Sequence, residues 1–327
     1  MGATVVVDAF WGDSGKGKIA AYLAKRMDHP WCFRAGTGTN AGHSIYFKDG
    51  RTIKTHQLPG AIATSDKVAI GSGVAVNPKI FLKEVEEYGQ GKDIFVDLRC
   101  PVILPEYIEQ EQGRLKNEIG STASGTGVTL SEFKLRKVKQ AKDIEELVPY
   151  LCDNALLANM TCEAHKDIII EGSQGTFLSL ALSYDYPYVT SDNCTTAALV
   201  DDVGLNWQYI KNVILVVKTM PTRVGPGFLP HEMGAKQIQS LKIEEYGVTT
   251  GRLRRKARQI DMGLLAESIM LNGPTQIALT FCDHYGITNS LILADTIEDH
   301  FNIPVTILDK GKYFEDIEER GYGAILE

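Results

Sequence analysis

The chain is short of the features that mark secreted, zinc-ribbon, membrane or nucleic-acid-binding proteins. Its 327 residues hold six cysteines, Cys32, Cys100, Cys152, Cys162, Cys194 and Cys282, with no CxxC pair and no His cluster beside them. That scatter argues against a zinc site and reads as reduced thiols in a cytosolic protein. No apolar run approaches the roughly 20 residues that span a bilayer. The sequence enters a strand pattern directly, without a charged n-region or cleavage site, so a soluble cytoplasmic protein is expected, with no membrane partner. Basic residues are not in excess: 34 Lys and Arg face 41 Asp and Glu, a formal net charge of -7. A general nucleic-acid binder carries the opposite balance, so no nucleic-acid partner is expected, whereas a small anion needs only local positive charge. Linkers, low-complexity tracts and internal repeats are also missing, and one α/β domain over residues 1–327 is expected.

What is present is a recurring alternation. Ala3 to Asp8 is a β-branched, nearly continuous apolar run, as in a strand buried on both faces of a parallel sheet. A glycine turn and a helical pattern over Ile19–Lys25 follow it. Further strands are expected at Val68–Ile70, Ile94–Leu98, Ile168–Glu171, Val213–Val217, Ile277–Thr280 and Val305–Leu308. Helices are expected at Pro78–Tyr88, Ile144–Leu157, Thr195–Val203 and Ala257–Leu271. This order predicts a mainly parallel central sheet with helices on both faces. Three segments, Arg34–Gly60, Ile119–Lys139 and Arg223–Arg258, are polar and glycine-rich, and read as long functional loops.

The chemistry sits in those loops. Gly12-Asp-Ser-Gly15-Lys16-Gly17-Lys18 has phosphate-loop spacing between strand and helix, but Ile19 stands where a Ser or Thr ordinarily anchors magnesium. Backbone N–H groups at the helix start suit a phosphate, and Asp13 is the candidate anchor for a metal. Asn40-Ala-Gly42-His43 permits close backbone approach, with His43 able to donate to a leaving phosphate. Gly120 to Gly127 is a second Gly/Ser/Thr loop suited to a monophosphate. Gln174 follows a strand, at the edge where open α/β sheets bind ligands. Thr249-Thr250-Gly251-Arg252-Leu253-Arg254-Arg255 suits a small dianion such as aspartate, because guanidinium grips carboxylate in two places. Asp283, ending Thr280-Phe-Cys-Asp283, is equally suited to accept from a guanine edge or to cap the next helix.

In this order the motifs resemble those of the adenylosuccinate synthetases. The matching segments are Trp11 to Lys18, Asn40 to His43, Ile119 to Gly127, Gly172 to Leu178 with Tyr186 to Ser191, Thr222 to Glu232, and Thr249 to Arg255. The length is like that of the compact archaeal and viral members. The resemblance implies a carbon–nitrogen ligase that joins L-aspartate to C6 of a 6-oxopurine nucleoside monophosphate through a 6-phosphoryl intermediate. Asp13 is implied as the base at purine N1, with His43 and Lys16 stabilising phosphoryl charge. Gly12, Ser14, Gly15, Lys16, Gly17, Lys18, Gly42, His43 and Asp283 are implied to hold the triphosphate. Asn40, Ser121, Thr122, Arg136, Gln174, Thr190, Val224 and Arg252 would hold the purine nucleotide. Thr249, Thr250, Arg252 and Arg254 would hold aspartate, and Asp13 with Gly42 would hold Mg2+. Arg136 resembles the arginine that reaches a neighbouring subunit, which implies a homodimer.

Three departures bear on the substrate. Ser14 replaces the family's Glu, Leu253 breaks the arginine run, and Phe281 replaces the Lys before the base-recognising Asp. The donor is therefore ATP, dATP or GTP. A hydroxyl in place of a carboxylate leaves room for a 2-amino group, which favours dGMP, as in viral 2-aminoadenylosuccinate synthetases, over IMP. Readings from other classes are a P-loop regulatory NTPase and a non-catalytic nucleotide-binding module. A switch would need a hydroxyl after Lys18, and a binding module would not need Asp13 and His43.

Overall fold

The computed structural model describes residues 2–113, 122–246, 251 and 253–321. Its first elements are β1 (Ala3–Asp8), α1 (Lys16–Arg26), β2 (Trp31–Arg34), the hairpin β3 (His43–Tyr46) and β4 (Thr52–Thr55), β5 (Lys67–Ile70), α2 (Pro78–Tyr88) and β6 (Asp93–Asp97). Then come α3 (Pro105–Glu111), α4 (Thr126–Lys134), β7 (Leu151–Cys152), α5 (Asn154–Glu163), β8 (Ile168–Glu171), α6 (Thr196–Val203) and β9 (Ile210–Lys218). The last are β10 (Thr222–Arg223), α7 (Ala235–Leu241), β11 (Arg255–Lys256), α8 (Met262–Asn272), β12 (Gln276–Thr280), α9 (Cys282–Tyr285), α10 (Ile287–Phe301), β13 (Val305–Asp309) and β14 (Ile317–Glu319).

Ten strands form one sheet in the order β14-β13-β12-β9-β1-β8-β2-β5-β6-β7. All neighbours are parallel except the edge strand β14, which runs antiparallel to β13. The mainly parallel sheet with helices on both faces is therefore the observed architecture. β1 shows why its sequence is so apolar. Val5 and Val7 pack with Leu199, Leu265 and Ala294 on one face, whereas Val6 packs with Ile19, Leu23 and Phe81 on the other. Alternate side chains serve two cores, so successive positions Val5, Val6 and Val7 must all be apolar.

The strand expectations hold to within a few residues, and the helices need correction. The stretch expected as one helix over 144–157 is a 3-10 turn over Glu145–Tyr150, the short β7, and then α5. Pro149 lacks the N–H a continuing helix would use, and Asp153 restarts one by accepting from Leu156 N at 3.0 Å. The helix expected from Ala257 begins only at Met262, where Asp261 caps Leu264 N at 3.0 Å, because Arg255 and Lys256 pair with β10. The expected long loops carry structure of their own: the β3–β4 hairpin, α4 and α7.

Candidate active site

β1 lies between β8 and β9, and β2 continues beyond β8, so the chain crosses in both directions about the sheet's centre. Ligands of open α/β sheets bind at the carboxyl ends beside such a switch point. Those ends carry buried charges here: Asp8 on β1, Arg34 on β2, Glu171 on β8, Lys218 on β9 and Asp309 on β13. A cavity of about 1070 Å³ opens over them.

The loop after β1 is bent by residues with positive φ: Gly12 at 87°, Asp13 at 55° and Gly15 at 83°. Glycine adopts these values freely, whereas a side-chain-bearing Asp13 does so only when its surroundings fix it. Asp8 shapes the loop by accepting from Phe10 N at 2.7 Å and Gly12 N at 3.3 Å. Its other oxygen holds Lys16 Nζ at 3.1 Å, and Lys16 also donates to Gln174 O at 2.5 Å. Lys18 is anchored to Asp309 Oδ1 at 2.6 Å and to Gly311 O at 2.8 Å. Both lysines contribute to the cavity wall. Ile19 is wholly buried in the core, which explains why no hydroxyl follows Lys18.

His43 begins β3 and reaches back over the first turn of α1. Its Nε2 lies 2.9 Å from Glu171 Oε1 and also contacts Arg34 Nη1. Glu171 further accepts from Gly60 N at 2.9 Å and Ala61 N at 3.1 Å. Burial opposes ionisation of Glu171, yet His43, Arg34 and the Gly60 N–H outweigh it and hold the carboxyl at about 2. Burial also pulls the His43 imidazole below its ordinary value, against the attraction of Glu171.

Three expected nucleotide residues are linked by hydrogen bonds. Gln174 Nε2 donates to Asn40 Oδ1 at 3.0 Å, and Asn40 Nδ2 donates to Thr190 Oγ1 at 3.2 Å. On the opposite wall, Arg254 pairs with Asp13 Oδ2 at 2.6 Å. Arg255 turns away onto Glu232 at 2.7 Å.

Gly12, Asp13, Ser14, Gly15, Lys16, Gly17, Lys18, Asn40, Gly42, His43, Thr122, Gln174, Thr190, Val224 and Arg254 thus line one cavity. Two expected residues stand apart from that wall. Arg136 is exposed just beyond α4, and Asp283 is exposed in the first turn of α9. Ser121, Thr249, Thr250 and Arg252 lie outside the described residues. The start of α4 also differs from a simple phosphate cradle. Glu111 accepts from Gly125 N at 2.8 Å, Gly127 N at 2.5 Å and Val128 N at 3.1 Å, so these backbone donors are used within the protein, while Thr122, which donates to Ser124 Oγ at 3.3 Å, lines the cavity.

Comparison with known proteins assigns this arrangement to a family. The adenylosuccinate synthetase family model matches residues 5–144 and 134–298. The adenylosuccinate synthetase of Archaeoglobus fulgidus is 41% identical, with 97% of this chain and 98% of that protein covered. The chain belongs to the adenylosuccinate synthetase family. It is a carbon–nitrogen ligase by that membership. The Thermococcus onnurineus and Methanocaldococcus jannaschii adenylosuccinate synthetases are 38% and 39% identical, over 98% and 94% of this chain and 99% and 94% of theirs. A fully ligated Plasmodium falciparum adenylosuccinate synthetase shares the fold, with TM-score 0.90 at 21% identity over 98% of this chain and 100% of that one. The cyanophage S-2L succinoaminodeoxyadenylate synthetase, bound to dGMP and dATP, superposes with TM-score 0.84 at 25% identity, covering 97% and 95%.

The sequence reading missed the residues that hold the family's motifs in place: Asp8, Arg34, Glu111, Glu171, Lys218, Glu245 and Asp309. For five of them there was a signal. Each is a charge that closes a buried apolar run, and a charge is costly to bury unless a partner awaits it.

Proposed function

We propose that this ligase joins L-aspartate to C6 of a 6-oxopurine nucleoside monophosphate while a nucleoside triphosphate is hydrolysed, and that the purine is dGMP. The observation carrying the ligase reading is the single cavity that gathers Asp13, Lys16, His43, Gln174 and Arg254. Asp13 takes the proton from purine N1, and the oxyanion at C6 attacks the γ-phosphorus, breaking its bond to the departing diphosphate. Lys16 and His43 stabilise charge on the transferring phosphoryl oxygens. Aspartate is gripped by Arg254, together with Thr249, Thr250 and Arg252. Its amine then forms the bond to C6 as the C6–O bond breaks and phosphate leaves. Asn40, Ser121, Thr122, Gln174, Thr190 and Val224 orient the nucleotide.

The residues fit a magnesium ion. Asp13 presents a carboxylate that is 32% exposed, and both it and Gly42 line the cavity. Among the described residues no cluster of three His, Cys, Asp or Glu could hold a metal. Asp13 and Gly42 would therefore share the ion with substrate phosphates, the usual arrangement for Mg2+, and its charge would offset theirs. Arg136 would serve a second copy in a homodimer, a reading supported by its exposure beside the exposed Leu135. Sedimentation of the holoenzyme tests that part.

Support for dGMP comes from Ser14. It lines the cavity, and its buried Oγ has no hydrogen-bond partner, which leaves an acceptor for a 2-amino group where a Glu would fill the space. The rival substrate is IMP, favoured by relatives named adenylosuccinate synthetase that match nearly the whole chain. The donor is ATP, dATP or GTP. Phosphate release with aspartate, each donor, and dGMP or IMP decides the matter. The proposal expects turnover with dGMP and a shift toward IMP in Ser14→Glu. Turnover with IMP alone overturns the dGMP reading.

A further inference from the structure

Asp13 is held from behind as well as in front. Lys218, at the carboxyl end of β9, is 1% exposed. Its Nζ donates to the main-chain O of Asp13 at 3.0 Å, to Thr222 Oγ1 at 2.8 Å and to Glu245 Oε2 at 2.5 Å. An ammonium has three hydrogens, so this one is fully used within the protein and none remains for substrate. The same Nζ lies 4.0 Å from the centre of the Phe281 ring. The second oxygen of Glu245 pairs with Lys256, whose Nζ donates to Ile243 O at 2.9 Å and contacts His284 Nδ1 at 2.9 Å.

The contacts close into a ring. Lys218 binds the carbonyl of Asp13, and the carboxylate of Asp13 binds the Arg254 guanidinium at 2.6 Å. Arg254 N donates to Glu245 O at 2.8 Å, and the Glu245 carboxylate returns to Lys218. Two further facts give the ring a purpose. Asp13 has φ 55°, a conformation that a residue with a side chain keeps only when its surroundings over-determine it. In addition, Tyr246 bridges to Leu253, so Glu245 and Arg254 form the neck of the 246–253 segment that carries the aspartate-binding motif.

We propose that Lys218 is a positioning residue for the ligase reaction: with Glu245 it fixes the left-handed backbone of Asp13 and locks the neck of the arginine segment to it. Asp13 and Arg254 are thereby built on one support, although they lie more than 200 positions apart in sequence. The proposal rests on the reading of Asp13 as the base. It predicts a loss in kcat without a matching loss in nucleotide binding, because Lys218 lies behind the cavity wall and its ammonium is used within the protein.

The test measures kcat, each KM and thermal stability for Lys218→Met, Glu245→Gln and Asp13→Asn, with each of the first two also placed on Asp13→Asn. Lys218→Met is expected to lower kcat about 30-fold or more with nucleotide KM values within about threefold, and to add less than about threefold on the Asp13→Asn background. An equal loss on both backgrounds marks a purely structural role and overturns the proposal, as does unchanged kcat. Should Lys218→Met fail to fold, Glu245→Gln carries the test, since it keeps Lys218 and the shape of its partner. A kcat loss of about fivefold that disappears on Asp13→Asn supports the proposal, and an equal or absent loss overturns it. If Asp13→Asn alone turns over normally, the base reading fails. If it is severely impaired while the other two variants are unimpaired, only the positioning role fails.

Discussion

Replacing Gly17 by Ala separates folding from chemistry at this site. Gly17 lies in the first turn of α1, with His43 on one side and the backbone of Gly60 on the other. A Cβ there would lie 2.6 Å from His43 Nδ1, 2.7 Å from Cγ and 2.9 Å from Cβ. Retreat of the helix is blocked, because Gly60 is itself so close that a Cβ on it would meet Gly17 Cα at 2.8 Å. His43 must therefore give way. Ordinary contact begins at 3.4 Å, so Nδ1 must move by 3.4 minus 2.6, or 0.8 Å. Overpacking costs about 1–3 kcal/mol. Ala gains up to ~1 kcal/mol over Gly in a helix interior, and less in the first turn. The net loss of stability is then about 0–3 kcal/mol. Catalysis is less forgiving: a displacement of about 1 Å can cost on the order of 100-fold, equivalent to about 2.7 kcal/mol in the barrier. Gly17→Ala is expected to fold, melt within several degrees of the parent and lose about 100-fold in kcat, read by phosphate release alongside a thermal melt. A folded variant with unchanged kcat would refute the placement of His43 against the phosphate loop.

Two further outcomes follow from the same geometry. Arg254→Leu removes the partner of Asp13 and the proposed grip on aspartate; a charged hydrogen bond is worth about 1.5–3 kcal/mol, so aspartate KM should rise about 10- to 100-fold with nucleotide KM nearly unchanged, as steady-state kinetics would show. Burial lifts the Asp202 carboxyl to about 8, only partly offset by the N–H of Gly36 that it accepts at 2.7 Å. The unfolded chain releases this proton near 3.9. Between those values the folded state binds more protons, so this contribution to stability falls as pH rises. Asp202→Asn, which keeps the acceptor but cannot ionise, should gain in Tm relative to the parent from pH 5 to pH 8; a constant difference would contradict the assignment.

The sequence was most legible where a local rule governs. β1, its glycine turn and α1 followed from an apolar run and a phosphate-loop spacing, and α2 was found with both ends because Pro78 starts it and Asn77 caps it. The helix across 144–157 was misread because apolar spacing outweighed Pro149, the residue that ends it. α10, the longest helix, and β2 passed unnoticed, the latter because Trp31–Arg34 is short and closes on a charge. Within the site, many of the side chains that line the cavity could be named from their motifs. The charges that hold them left a signal as strand-ending residues, but their partners could not be named, since Lys218 and Glu171 meet Asp13 and His43 only when parallel strands bring distant segments together.

The central claim is that the purine C6 oxygen becomes a phosphate oxygen before aspartate displaces it. The direct measurement supplies the nucleotide with 18O at C6 and follows the label by mass spectrometry during turnover with aspartate and unlabelled triphosphate. The account predicts one 18O in each released phosphate, one aspartate-linked purine per phosphate, and phosphate release slowed to a small residual rate when Asp13 is replaced by Asn. Phosphate released without the label, at a rate indifferent to aspartate and purine, would show a nucleoside triphosphatase and contradict it.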